Sequence, residues 1–118
     1  MRNRRRPRKL TVDATTTYWW TVRHHHTDGT DCREVLTLRR DDVRTRIVFR
    51  DGPGRALAGG TLHTGGVVSG DHYLNLHEPG TVRALVDEAL RRGPLPPGGE
   101  LDGWELLPAA AVSRRRSR

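Results

Sequence analysis

Residues 72–93, HYLNLHEPGTVRALVDEALRRG, constrain the fold more than any other stretch, because a strand pattern runs there directly into a bounded helix. Tyr73, Asn75 and His77 alternate with Leu74 and Leu76, the period-two pattern of a half-buried strand. Val82, Leu85, Val86, Ala89 and Leu90 then recur at helical spacing, which puts five apolar residues on one stripe. Pro79 suits the first turn, where its missing N–H would have no intrahelical partner, and Gly93-Pro94 stop the helix. Glu78 and Thr81 compete as the N-cap. Arg83 and Asp87, Asp87 and Arg91, and Glu88 and Arg92 are opposite charges at i, i+4, so the outer side of the helix is neutralised locally. A helix over about 79–92 with one apolar stripe needs a sheet to cover.

The rest of the chain supplies that sheet. Residues 15–23, TTTYWWTVR, are β-branched and aromatic, with Tyr18, Trp20 and Val22 on one face and Trp19 on the other. Adjacent tryptophans on opposite faces imply that both faces meet something apolar. Residues 34–39 and 45–50 read as a hairpin reversed at Asp41-Asp42, with Ile47 and Phe49 inward and Arg46, Val48 and Arg50 outward. Residues 55–71 are glycine-rich and carry two short apolar pieces, around Leu62 and Val67-Val68. After the proline and glycine connector 95–99, residues 101–107, LDGWELL, lay Trp104 and Leu106 on the sheet as an edge strand. The expected fold class is α+β: an antiparallel sheet of five to six strands with one main helix packed on one face. At 118 residues this is one domain, over 11–108, between disordered basic tails at 1–10 and 109–118.

Net charge of +7 invites a nucleic-acid reading, so its distribution matters. Arg2, Arg4, Arg5, Arg6, Arg8 and Lys9 precede the body, and Arg114, Arg115, Arg116 and Arg118 follow it. That leaves 11 of the 21 basic residues against all 14 acidic ones, a body of about −3. On this count the basic character belongs to the tails. Cys32 is the single cysteine, so no intramolecular disulfide can form, and the cytoplasm is the expected compartment. The residues after the first basic run are polar and β-branched, unlike a secretory leader, and no apolar run has the length of a membrane span.

The YWWTVR strand, the RALVDEALRRG helix, a proline connector and a last apolar segment together are similar to small uncharacterised proteins of GC-rich bacteria with a Tyr-x-Trp-x-Val-Arg strand and a late helix. The resemblance spans 18–107. It implies the architecture and no activity.

No catalytic constellation stands out, and no cofactor is expected. Gly52-Pro53-Gly54 and Gly59-Gly60 lack the strand, Lys-Ser/Thr and helix context of a phosphate loop. His24, His25 and His26 in a row, with Cys32 beyond and His63, His72 and His77 further on, lack the offset spacing of a tetrahedral zinc site. The strongest physical case lies with the arginines of the tails, which would bind phosphate without reading sequence. Neutralising six to ten phosphates would make affinity fall about 10³- to 10⁵-fold between 50 and 200 mM salt. An exposed Trp19 or Trp104, with Tyr73 and His77 on the strand of the opening stretch, would instead form an aromatic face for a protein partner.

The sequence therefore points first to a non-enzymatic binding or accessory domain of unassigned partner, with no membrane association. The alternative is sequence-nonspecific nucleic-acid binding through the tails, and a more distant one is metal-dependent activity at His24–His26.

Overall fold

Alternation of apolar and polar residues is sustained through four consecutive strands, and these build one sheet. The computed structural model describes residues 6–27, 30–57 and 65–116, with the backbone only for Thr27, Thr30 and Asp31. Strands β1 (Arg8–Asp13), β2 (Thr16–Thr27), β3 (Thr30–Arg40) and β4 (Val43–Arg50) pair antiparallel in chain order. A short strand β8 (Glu100–Asp102) then adds to β4 in parallel, giving the order β1-β2-β3-β4-β8. Strands β5 (Arg55–Leu57), β6 (Gly66–Ser69) and β7 (His72–Asn75) form a second, antiparallel sheet. Two helices complete the described residues, α1 (Pro79–Arg92) and α2 (Gly103–Arg116).

The inner face of the large sheet presents Tyr18, Trp20, Leu36, Leu38, Ile47 and Phe49. These meet Val82, Leu85, Val86 and Ala89 of α1, Leu106, Leu107, Ala110 and Ala111 of α2, and Val67, Leu74 and Leu76 of the small-sheet region. Both helices and the small sheet thus lie on one side of the large sheet, and their burial against it is the main favourable term in folding. Helix α1 forms as its spacing predicts. Glu78 occupies the N-cap without a side-chain cap, and Gly93 ends the helix at φ 151°, a conformation that favours glycine.

Four features differ from the sequence reading. The strands divide into two sheets rather than one, with the strand of the 72–77 stretch in the small sheet, and the large sheet is mixed because β8 runs parallel to β4. Residues 8–10, placed by charge in a tail, begin β1: Leu10 and Val12 alternate inward, which repays ordering of the flanking Arg8 and Lys9. The β1–β2 turn is fixed by Asp13, whose carboxylate accepts from the Thr15 N–H at 2.9 Å. That bond, with the Thr16 hydroxyl next, holds the Asp13 carboxyl below its ordinary range. Strand β2 also runs on through His24–His26, and β3 starts at Thr30, so both exceed the strands expected over 15–23 and 34–39.

The fourth difference is α2. Residues 103–107 are helical rather than an edge strand, and the helix continues to Arg116 through residues expected as a disordered tail. Asp102 accepts from the Trp104 N–H at 3.0 Å and starts it. The buried positions Gly103, Trp104, Leu106, Leu107, Ala110 and Ala111 follow a helical stripe that becomes visible only when the chain is read across Pro108. Tertiary burial overrides the local breaker there. Arg2, Arg4, Arg5 and Arg118, the Leu62 segment, Gly59-Gly60 and His63 lie outside the described residues.

Candidate functional site

With the helices and the small sheet on one side, the other face of the large sheet is left open. Its positions follow from register. Lys9 lies opposite Trp19, Trp19 opposite Arg39, and Arg39 opposite Arg44, so one row across four strands reads Lys9, Trp19, Arg39, Arg44. The next row on the same face carries Thr21, Thr37 and Arg46, and the one beyond carries Arg23, Val35 and Val48. Outward positions are Thr, Arg and Val, which keep strand propensity, and of these Val35 and Val48 are buried at 7% and 2% exposure. Trp19 is 40% exposed, whereas its neighbour Trp20 on the inner face is 2% exposed.

Trp19, Thr21 and Thr37 wall a shallow depression of about 370 Å³, with Arg23, Arg39, Arg44 and Arg46 around it and Lys9 outside its lining. Lys9, Arg23, Arg39, Arg44 and Arg46 make no ion pair among the described residues. Within β1–β4 the acids whose side chains are described are Asp13, exposed at the β1–β2 turn, and Glu34. Glu34 points inward, where it is 1% exposed and meets His24 Nδ1 at 2.6 Å. Glu100 and Asp102 share this face at its edge, on β8 opposite Arg46 and Val48, and Glu100 is drawn to Arg50 at 3.4 Å.

On the helical side the same charges cancel. Glu88 takes Arg91 at 2.6 Å and Arg92 at 2.8 Å, and Arg83 takes Asp87 at 3.0 Å. The hydrogen bond from Arg91, then that from Arg92, hold the Glu88 carboxyl down to about 2. A body of about −3 therefore carries a positive face, because most of its described acids are placed at turns, on helices, inside or on the edge strand β8. Counting charge along the chain hides this; counting by strand parity would have found it, since Arg44, Arg46 and Arg50 alternate with Thr45, Ile47 and Phe49.

The other candidate residues scatter. Arg8 stacks over the Trp20 ring at 4.9 Å and donates to the His77 carbonyl at 3.1 Å, which ties β1 to the segment after β7. Arg114 pairs with Glu78 at 3.0 Å and lies against Gly80, so it joins α2 to the start of α1. Both are structural contacts of the fold. Arg6, Arg115 and Arg116 are exposed. Trp104 is 5% exposed, edge-on to Phe49 with centroids 5.2 Å apart, and its Nε1–H donates to the Arg50 carbonyl at 2.6 Å. It belongs to the core, not to an exposed aromatic surface. Tyr73 is exposed on the small sheet, remote from Trp19 in the fold, and the His77 ring lies beside Gly65.

The histidine row does not converge either. His24 and His26 stand on one side of β2 with rings 5.8 Å apart, while His25 stands on the other beside the depression. Among the described residues, no three His, Cys, Asp or Glu side chains gather as metal ligands would. No described helix is long and apolar enough to cross a membrane.

No protein-family model, curated protein or solved structure matches this chain.

Proposed function

We propose that this protein is a nucleic-acid-binding domain whose interface is the open face of the five-stranded sheet. One observation carries the reading: five cationic side chains without ion-pair partners among the described residues share a face with a half-exposed tryptophan, and the described carboxylates of that face lie at its margins, Asp13 at the β1–β2 turn and Glu100 and Asp102 on β8. Guanidinium groups recognise phosphate by charge and by paired hydrogen bonds. An aromatic platform among them is the combination that nucleic acid, with its charged backbone and flat bases, would satisfy. A protein partner of the same face would need to be acidic and to bury Trp19, which makes an acidic protein competitor the natural control.

The tails are secondary in this reading. Arg8 and Arg114 are engaged within the fold. Removing residues 1–9 would cut into β1, so a truncation would confound binding with folding. Substitution in the full chain avoids this.

The test is fluorescence anisotropy of a labelled oligonucleotide titrated with full-length protein across a salt series. If the five cations of the face neutralise five phosphates of a single strand, affinity falls about 10²-fold between 50 and 200 mM salt. The double variant Arg44→Gln with Arg46→Gln removes two of them and should lower the salt slope by about 1.4. Binding that is unchanged in this variant, or that is flat with salt, overturns the reading.

A further inference from the structure

We infer that the ligand of this face is a single strand, with one base stacked on Trp19 and the backbone following β4 past Arg44 and Arg46. The inference rests on the nucleic-acid reading above and narrows it to a strand state and a register.

The shape of the face argues for an unpaired base. The depression beside Trp19 holds about 370 Å³. That is near the lower end of the ~300–1,000 Å³ typical of small-ligand pockets, so it suits one nucleotide-sized group. A duplex keeps its bases stacked inside a rod and would lie across the rim, leaving the depression unfilled and the indole face without a base. Reading a duplex groove needs an element that enters it, commonly a helix or a two-stranded ribbon. Both described helices lie on the other side of the sheet.

Register then orients the strand. Trp19 has Lys9 on one side and Arg39, then Arg44, on the other, each one strand away in the same row, or about 4.8 Å per step. A base over the indole therefore has cations within reach on both flanks. Arg44 and Arg46 occupy the same face two residues apart along β4, about 6.8 Å. One backbone running beside β4 can set neighbouring phosphates against these two guanidinium groups. Thr21 and Thr37 lie opposite each other in the row next to Trp19, and both line the depression. Their hydroxyls donate and accept, so they can meet the edge of any base. Stacking on an indole is equally tolerant of base identity, and the site is expected to discriminate strand state more than sequence.

The experiment compares three labelled probes with the full-length protein at 100 mM salt: a 12-nucleotide oligothymidylate, a 12-nucleotide oligouridylate and a 12-base-pair DNA duplex. Single strands should bind at least tenfold tighter than duplex and quench tryptophan fluorescence. Trp19→Ala should weaken single-strand binding on the order of 10- to 100-fold while leaving duplex binding unchanged, and Trp19→Phe should restore most of the loss. Arg44→Gln with Arg46→Gln should weaken both. A cooperative thermal melt of Trp19→Ala certifies that the fold is intact. Equal or tighter duplex binding, insensitive to Trp19→Ala, overturns the single-strand inference and leaves the nucleic-acid reading standing. Failure of all three probes to bind overturns both.

Discussion

Gly103 and Phe49 are in such close contact that a Cβ on Gly103 would overlap three carbons of the Phe49 ring. Phe49 is fully buried and is held edge-on by Trp104, so its ring has nowhere to retreat. The contact sets how closely the first turn of α2 sits on β4. Gly103→Ala is therefore expected to destabilise the domain by about 1–3 kcal/mol through overpacking, even though alanine is the better helix former. Chemical denaturation with circular dichroism checks this. A variant as stable as the parent would mean that α2 is not seated on Phe49.

Acid should loosen the helical layer through Glu88. Its carboxyl, held at about 2 by Arg91 and Arg92, is below the ordinary carboxylate value in the folded chain. A depressed value means that the unfolded chain takes up the proton first. The stabilisation is complete above about pH 5 and is lost as pH falls from about 4.5 towards 2. Glu88→Gln should lower stability at neutral pH and flatten its fall over that window. Thermal melts of both proteins from pH 7 to 2.5 give the comparison, and parallel curves would remove Glu88 from the acid response.

The helix stripe of α1 gives a third expectation. Leu85 is fully buried between the sheet and the rest of the core. Leu85→Ala should cost about 2–5 kcal/mol, and Leu85→Asp should unfold the domain because a carboxylate would be buried without a partner. A cooperatively folded Leu85→Asp protein would show that α1 does not cover the sheet.

What could be read in advance divides along the range of the information needed. Helix α1, the β3–β4 hairpin and the inward set Ile47 and Phe49 follow from local period, and the fold agrees with them. Helix α2 was hidden because Pro108 and the arginines after it resemble a stop and a tail; only burial of Ala110 and Ala111 against the core makes the helix worth forming. The exposed face is less legible still. Lys9, Trp19, Arg39 and Arg44 come from four strands, and nothing local states that they share a row. Charge summed over the body gives an acidic total, whereas Arg23, Arg39, Arg44 and Arg46 of that body share one strand face with Lys9 from before it and make a basic surface. The outward alternation of Arg44, Arg46 and Arg50 was the one local sign of it.

Trp19 and Trp20 allow interface and core to be separated within two adjacent residues. Trp20 is packed in the core under the Arg8 guanidinium, so Trp20→Ala should cost about 3–5 kcal/mol. Trp19 is 40% exposed on the open face, so Trp19→Ala should cost only about 1 kcal/mol, the loss of strand propensity. Acrylamide quenching gives an independent reading: with Trp104 also buried, removal of Trp19 should abolish most of the accessible fraction, and removal of Trp104 or Trp20 should not. The pair tests the orientation of β2 itself, because a slip of one residue in its register would exchange the two side chains between faces. A destabilised Trp19→Ala beside a stable Trp20→Ala would place the helices on the wrong side of the sheet and remove the proposed interface with them.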